Sequence, residues 1–318
     1  MNRFWDIKND LEFEALALDV FRFQARSCAP YAEYLDLVGC DIRGVGRLEQ
    51  IPFLPIELFK SHDVYSAQRA PEVIFTSSST TGRGEARHMM SSLGNYEEAF
   101  VRGFERFYGD VQGWSIYGLL PSYLQREGSS LVYMVDRLIE RCGSGGFYLD
   151  DYERLLSDME QDEKPKILLG VSYALWDLVE RYAPKLSNTI VMETGGMKGK
   201  REEIEKSEFH KILCEGFGVE HIHSEYGMAE LTSQAYSKGA NVFECPEWMK
   251  VVVRDINDPM SRVARGQRGG INIVDLASRD SCAFVQTQDM GREVEGGGFT
   301  IEGRVEASDI RGCNLLVQ

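Results

Sequence analysis

The stretch KILLGVSYALWDLVERYAPKLSNTIVMET, residues 166–194, decides the fold. "KILLG" (166–170) is a short apolar run that enters the helical pattern "VSYALWDLVERY" directly, and "NTIVMET" (188–194) is a second strand. Strand, helix and strand in this order make a βαβ unit, whose strands pair in parallel. The rhythm continues on both sides. C-terminally come a helix, "REEIEKSEFHKILCEGFG", stopped by glycine, and a strand, "VEHIHSEYG". N-terminally come a strand "EVIFTS" (72–77), a helix from Asn95 to Phe107 with Asn95 and Glu98 as cap and third positions, a strand "WSIYGLLP" (114–121) and a helix "LVYMVDRLIERC". Asp10 to Ala25 has helical spacing, with Phe13, Leu16, Ala17, Val20, Phe21 and Phe23 on the pattern, and Pro30 is expected to end that region. Pro52 and Pro55 make "IPFLPIELFK" extended and irregular. From Trp248 onward "MKVVVRDI", "GGINIVDL", "CAFVQTQDM" and "GFTIEGRVE" are short strands with glycine turns. The expected class is α/β: residues 1–245 form an α/β core with largely parallel pairing, and 246–318 a β-rich subdomain.

Composition narrows the function. The chain has 318 residues, 43% hydrophobic and 27% charged, and a net charge of −15 from 35 basic and 50 acidic side chains. That sign repels phosphate backbones and anionic lipid, so nucleic acid and membranes are poor partners. A bound nucleotide must be held by local loops and a metal ion. The seven cysteines (Cys28, Cys40, Cys142, Cys214, Cys245, Cys282, Cys313) include no C-x-x-C pair, which argues against a disulfide framework and a zinc site. His221 and His223 share one strand face without an evident third ligand and read as structural. Without a signal peptide or an apolar run near about 18 residues, the expected compartment is the cytoplasm.

Five motifs carry chemistry. "TSSSTTGRG" (Thr76 to Gly84) follows a strand; its hydroxyls and amides can wrap a triphosphate, or make a solvated turn. It lacks the Gly-Lys-[Ser/Thr] of a Walker loop, and the following "EARHMMSS" reads as a strand. "METGGMKGK" (Met192 to Lys200) can bring the chain close to a flat base, or simply turn. "SEYGMAELTSQ" (Ser224 to Gln234) lies at a strand's C-terminal end, where open α/β sheets collect ligands. There Tyr226 can stack on a base and Glu230 can hold Mg²⁺; an ordinary strand-to-helix junction is the alternative. "TQDMGRE" offers Asp289 to two ribose hydroxyls, or as a turn residue. "GRVEASDIRGCN" (Gly303 to Asn314) comes last.

The order of these motifs resembles that of the acyl-adenylate-forming superfamily, over roughly residues 50 to 315. Within it the chain is most similar to LuxE-type acyl-protein synthetases, on "IPFLPIELFKSHDV", "SEYGMAELTSQ" and "GRVEASDIRGCNLLV", and is similar also to phenylacetate-CoA ligases. The resemblance implies the large N-terminal domain of an adenylate-forming enzyme, without the C-terminal lid that carries a catalytic lysine in typical acyl-CoA synthetases. It implies activation of an apolar, fatty or aryl, carboxylic acid by ATP and Mg²⁺ to acyl-AMP. The acyl group then moves to a cysteine, and from there to a reductase partner. CoA or an acyl carrier protein as acceptor is the first alternative; an AMP- or acyl-adenylate-binding scaffold is the second.

The resemblance also assigns roles. Ser77, Ser78, Ser79, Thr80, Thr81 and Gly82 would enclose the ATP phosphates. Gly195 and Gly196 would lie beside the adenine and the acyl pocket, and Tyr226 against the adenine. Glu230 would bind Mg²⁺, Asp289 would take the ribose hydroxyls, and Arg304 would reach the nucleotide from the hinge. Cys313 would accept the acyl group; a buried cysteine on a last strand is the competing reading of "CNLLV". Ser79 replaces the usual glycine of the hydroxyl loop, and Ala229 the usual threonine before the glutamate.

Overall fold

A computed structural model describes residues 3–77, 84–121, 128–197, 201 and 204–305. The first helices are α1 (Asp10–Ser27) and α2 (Ala29–Leu37), followed by a two-residue strand β1 (Leu54–Pro55) and a tight helical turn at Ile56–Lys60. Pro30 opens α2 and does not merely end α1: in a first helical turn its missing N–H has no partner to lose. The hairpin β2 (Val73–Thr76) and β3 (Arg87–Met90) flanks the hydroxyl-rich stretch, with Phe75 opposite His88. Helix α3 (Leu93–Tyr108) starts earlier than expected. Ser92 is its N-cap, accepting from the Asn95 N–H, and the Asn95 side chain donates instead to the Ala277 carbonyl at 3.0 Å.

The alternation then runs β4 (Ser115–Leu119), α4 (Ser130–Cys142), β5 (Gly145–Tyr148), α5 (Tyr152–Gln161), β6 (Lys166–Val171), α6 (Ser172–Tyr182), β7 (Thr189–Thr194), α7 (Lys206–Phe217), β8 (Ile222–Tyr226) and β9 (Ala235–Ser237). The pair β5–α5 has no counterpart in the sequence reading, because "GGFY" is too short and glycine-rich to register as a strand. These strands form one sheet in the order β5-β4-β6-β7-β8-β9, parallel except for β8–β9. Helices on a parallel sheet bury both its faces, which is why β4 and β6 are buried at every position.

The β-rich part comprises β10 (Met249–Arg254), β11 (Gly269–Asp275), β12 (Phe284–Glu293) and β13 (Phe299–Arg304), antiparallel in sequence. Strand β1 adds to β12 in parallel, Leu54 opposite Val285. One apolar core lies around the parallel sheet. The other joins Phe13, Phe21, Tyr31 and Leu54 to Ile273, Phe284 and Phe299, so the N-terminal helices pack on the β-rich sheet. Among the described residues no helix is long and apolar enough to cross a membrane.

Candidate active site

Strands β7 and β8 are parallel and in register, Thr194 opposite Glu225, so Gly195 and Tyr226 leave the sheet side by side at its C-terminal edge. Gly195 has φ 68, the left-handed region where a Cβ is penalised. Its carbonyl accepts from the Ser172 hydroxyl at 3.3 Å, and the same hydroxyl donates to Glu193 at 3.0 Å. Glu193 is buried beneath the turn. It accepts from Ser224 at 2.7 Å and pairs with Lys206 at 2.7 Å. Burial alone would raise its pKa, but Lys206, His210 and Ser224 outweigh that and hold it at about 2. Lys206 also lies 4.9 Å from the centre of the Phe243 ring. Phe243 in turn packs on Tyr226 at 5.7 Å, so one ion pair braces both the glycine turn and the tyrosine.

Tyr226 is wedged between Phe243 and Phe299 and donates its phenol hydrogen to Asp289 at 2.8 Å. Burial, and then the Asp289 charge, push its own pKa well up. Asp289 stands opposite Arg304 across β12–β13, and Arg304 Nε lies 3.4 Å from its other carboxylate oxygen. The Asp289 backbone N–H donates to Thr287 at 3.1 Å. One carboxylate oxygen therefore faces a phenol and the other an exposed guanidinium.

Glu230 is buried, and burial raises its pKa; Lys60 and Arg304 pull it down and Asp289 pushes it up, so these groups form one electrostatic cluster. The residues after it are anchored firmly. Asp275 accepts from the backbone of Thr232 and Ser233, each at 2.9 Å, and from the Ser233 hydroxyl at 2.7 Å. Before it, the Ala229 carbonyl accepts from His88 Nδ1 at 2.7 Å. His88 is buried, which drops its pKa to about 4 and keeps it neutral. This bond ties the β2–β3 hairpin to the glutamate turn. Ser77 closes the base of the hairpin: its backbone donates to Ala86 O, and its hydroxyl accepts from Ala86 N, both at 3.0 Å.

The structure thus gathers Tyr226, Glu230, Asp289 and Arg304, places Gly195 and Gly196 at the neighbouring strand end, and sets Ser77 on the adjoining hairpin. Ser78, Ser79, Thr80, Thr81, Gly82 and Cys313 lie outside the described residues. Lys60, His88, Ser172 and Lys206 were missed, because each lies outside the motifs it meets; Glu193 sits within the Gly-Gly motif, but its partners Ser172, Lys206 and Ser224 lie outside it. A cavity of about 360 Å³ between Trp5, Arg69, the start of α3 and Arg279 shares no residue with this cluster. Chemistry, not volume, marks the site.

A hard divalent ion typically takes one or two protein carboxylates and completes its shell with phosphate oxygens and water. Glu230, an oxygen donor amid groups of both signs, fits that pattern for Mg²⁺.

No family model matches the chain. It is similar to the long-chain-fatty-acid–luciferin-component ligase of Vibrio harveyi, 25% identical, covering 87% of this chain and 80% of the ligase. Among solved structures it is similar to a 2-hydroxyisobutyryl-CoA ligase in complex with 2-HIB-AMP and CoA, with a TM-score of 0.71, 13% identity, and 94% of this chain and 70% of that one covered. ATP-bound MatB from Rhodopseudomonas palustris matches with a TM-score of 0.55 and 16% identity over 75% of this chain, which spans about half (50%) of that structure. The fold is that of the large domain of adenylate-forming enzymes, as the motif order implied.

Proposed function

We propose that this relative of the long-chain-fatty-acid–luciferin-component ligases activates a carboxylic acid with ATP, giving acyl-AMP and pyrophosphate, and passes the acyl group to a thiol. The observation that carries the reading is the joining of Tyr226, Asp289 and Arg304 beside the buried Glu230, at the C-terminal edge of the parallel sheet. A carboxylate bridging a phenol and a guanidinium is well placed to take ribose hydroxyls, with the aromatic ring beside the base. The Gly195–Gly196 turn supplies a backbone surface along that base, and Ser172 fixes its orientation.

In the reaction an oxygen of the acid attacks the α-phosphorus in line. The bond to the bridging oxygen of the β-phosphate breaks, and pyrophosphate leaves with the electron pair. The chain's contribution is positioning and charge neutralisation. Asp289 orients the ribose, Arg304 faces the nucleotide, and the hydroxyl-rich stretch beginning at Ser77 surrounds the phosphates. Glu230 would hold Mg²⁺, which when bound supplies positive charge to the phosphate oxygens.

The acid proposed is apolar, fatty or aryl, in keeping with the relative's printed name. The acceptor proposed is Cys313, which follows Gly312 and Arg311 in sequence; a thiolate, the form a neighbouring cation favours, is the nucleophile. The thiolate sulfur attacks the acyl carbon and AMP leaves, so the thioester forms as the mixed anhydride breaks. Protein, ATP, Mg²⁺ and a labelled fatty acid should give hydroxylamine-sensitive label on the chain, abolished by Cys313→Ser. AMP release that appears only when CoA or an acyl carrier protein is added favours an external acceptor, a reading supported by the CoA-bound structural neighbour. No AMP with any acid or acceptor contradicts the proposal.

A further inference from the structure

The register of the β-rich sheet breaks on both sides of Asp289. Between β11 and β12, Gly270 stands opposite Met290 but Asn272 opposite Gln286, so Ile271 alone faces Thr287, Gln288 and Asp289. Extra residues on one strand make a bulge, and a bulge re-aims the side chains it carries. Arg254, opposite Gly270 on β10, holds this one from within. Its Nη1 donates to the Ile271 carbonyl and to the Asn272 side chain, each at 3.0 Å, and its Nη2 to the Thr287 carbonyl at 2.8 Å. A Cβ on Gly270 would lie 2.3 Å from the guanidinium carbon, so the glycine leaves the space that the guanidinium fills. Thr287 completes the link. Its hydroxyl donates to the Ile271 carbonyl at 2.8 Å and accepts from the Asp289 N–H at 3.1 Å.

Arg254 is only 5% exposed, and among the described residues its hydrogen bonds go to uncharged oxygens. Burial lowers its pKa to about 10, against the charges of Glu57 and Asp289, so it remains a cation at neutral pH. Burying such a charge is costly, and packing alone would be served better by an apolar side chain. What the planar fork offers in return is a fixed grip on the carbonyls of both strands at the bulge.

We infer that Arg254 is a positioning residue for the ribose: through Thr287 it fixes the direction in which Asp289 leaves β12 toward the nucleotide. The inference rests on the assignment of Asp289 to the ribose hydroxyls. Arg254 acts from beneath and itself meets no nucleotide atom.

Calorimetric titration with ATP and with 2′,3′-dideoxy-ATP, in the presence of Mg²⁺, tests this, because only ATP offers hydroxyls to Asp289. The unaltered protein should prefer ATP by roughly 10- to 100-fold, the worth of hydrogen bonds to a charged group. Arg254→Met should lose most of this preference, weakening ATP and leaving dideoxy-ATP within about twofold. Arg254→Lys should restore part of it. In an Asp289→Ala background, Arg254→Met should change ATP affinity by less than about twofold, since its effect passes through Asp289. Thr287→Val, which keeps the shape and removes the linking hydroxyl, should lose the preference as well, and it decides the matter if Arg254→Met does not fold. A preference kept in folded Arg254→Met or in Thr287→Val, or an equal loss for the two nucleotides, would overturn the inference and leave the Asp289 assignment standing. No preference in the unaltered protein would overturn both.

Discussion

At the residue scale the account turns on neighbouring carboxylates with different surroundings. Asp289 is tied to Tyr226 and Arg304 and is assigned to the ribose, so Asp289→Ala should weaken ATP and AMP alike. Equilibrium binding of both nucleotides checks this, and a loss confined to ATP would contradict it. Glu193 and Glu225 follow one another along the sheet edge but titrate in opposite directions. Glu193 is held at about 2; its stabilising contribution is present above the unfolded-state pKa near 4.5 and fades as pH falls toward 2. Burial pushes Glu225 up to about 7 against the Thr194 hydrogen bond, and the Glu193 charge adds to the rise. A carboxyl raised in this way favours folding below about 4.5, and that contribution is lost as pH rises toward 7. Glu225→Gln cannot ionise. Its urea midpoint should therefore gain on that of the unaltered protein between pH 5 and about 7.5. A constant difference across that range would contradict the burial effect.

At the scale of elements, long-range ties hold the motifs in place. The His88 bond to Ala229 joins the β2–β3 hairpin to the glutamate turn, 141 residues apart in sequence. His88→Ala leaves a half-buried carbonyl without its donor, and should cost about 1–3 kcal/mol of stability. It should raise KM for ATP more than it lowers kcat, since it loosens the hairpin that borders the proposed phosphate-binding stretch rather than removing a reacting group; steady-state kinetics with ATP varied separates these effects. Helices α6 and α7 meet through Gly216, where an added Cβ would lie 2.1 Å from a Val179 methyl. Gly216→Ala should cost about 1–3 kcal/mol by overpacking, visible as a lowered unfolding midpoint. These ties also mark what the sequence could tell. Tyr226 and Glu230 were legible because one short motif carries both, at a strand end that apolar periodicity locates. Asp289 and Arg304 were legible as the following motifs in order. His88 and the Glu193–Lys206 pair were not, since their roles arise from contacts that local pattern does not encode. The cap of α3 was misplaced for a related reason: Asn95 suits a cap chemically, but its amide is drawn to Ala277, and Ser92 caps instead.

At the scale of the molecule, a parallel sheet carries the site at one edge, and a β-rich sheet closes over it with the N-terminal helices packed on its back. Gln24 on α1 fastens that packing. Fully buried, it donates to the carbonyls of Ser278, Arg279 and Ser281 and accepts from the Ala283 N–H at 3.0 Å. Gln24→Leu should therefore lower the unfolding midpoint, by about 2 kcal/mol or more, through the partners it leaves unpaired. The arrangement as a whole serves one proposed reaction, the reversible joining of an acid to AMP. ATP–pyrophosphate exchange with a panel of carboxylic acids measures that step alone, independent of the final acceptor. The account predicts Mg²⁺-dependent exchange that requires an apolar acid and falls by a large factor in a folded Glu230→Gln variant. Absence of exchange with every acid, or exchange that Glu230→Gln leaves unchanged, would contradict it.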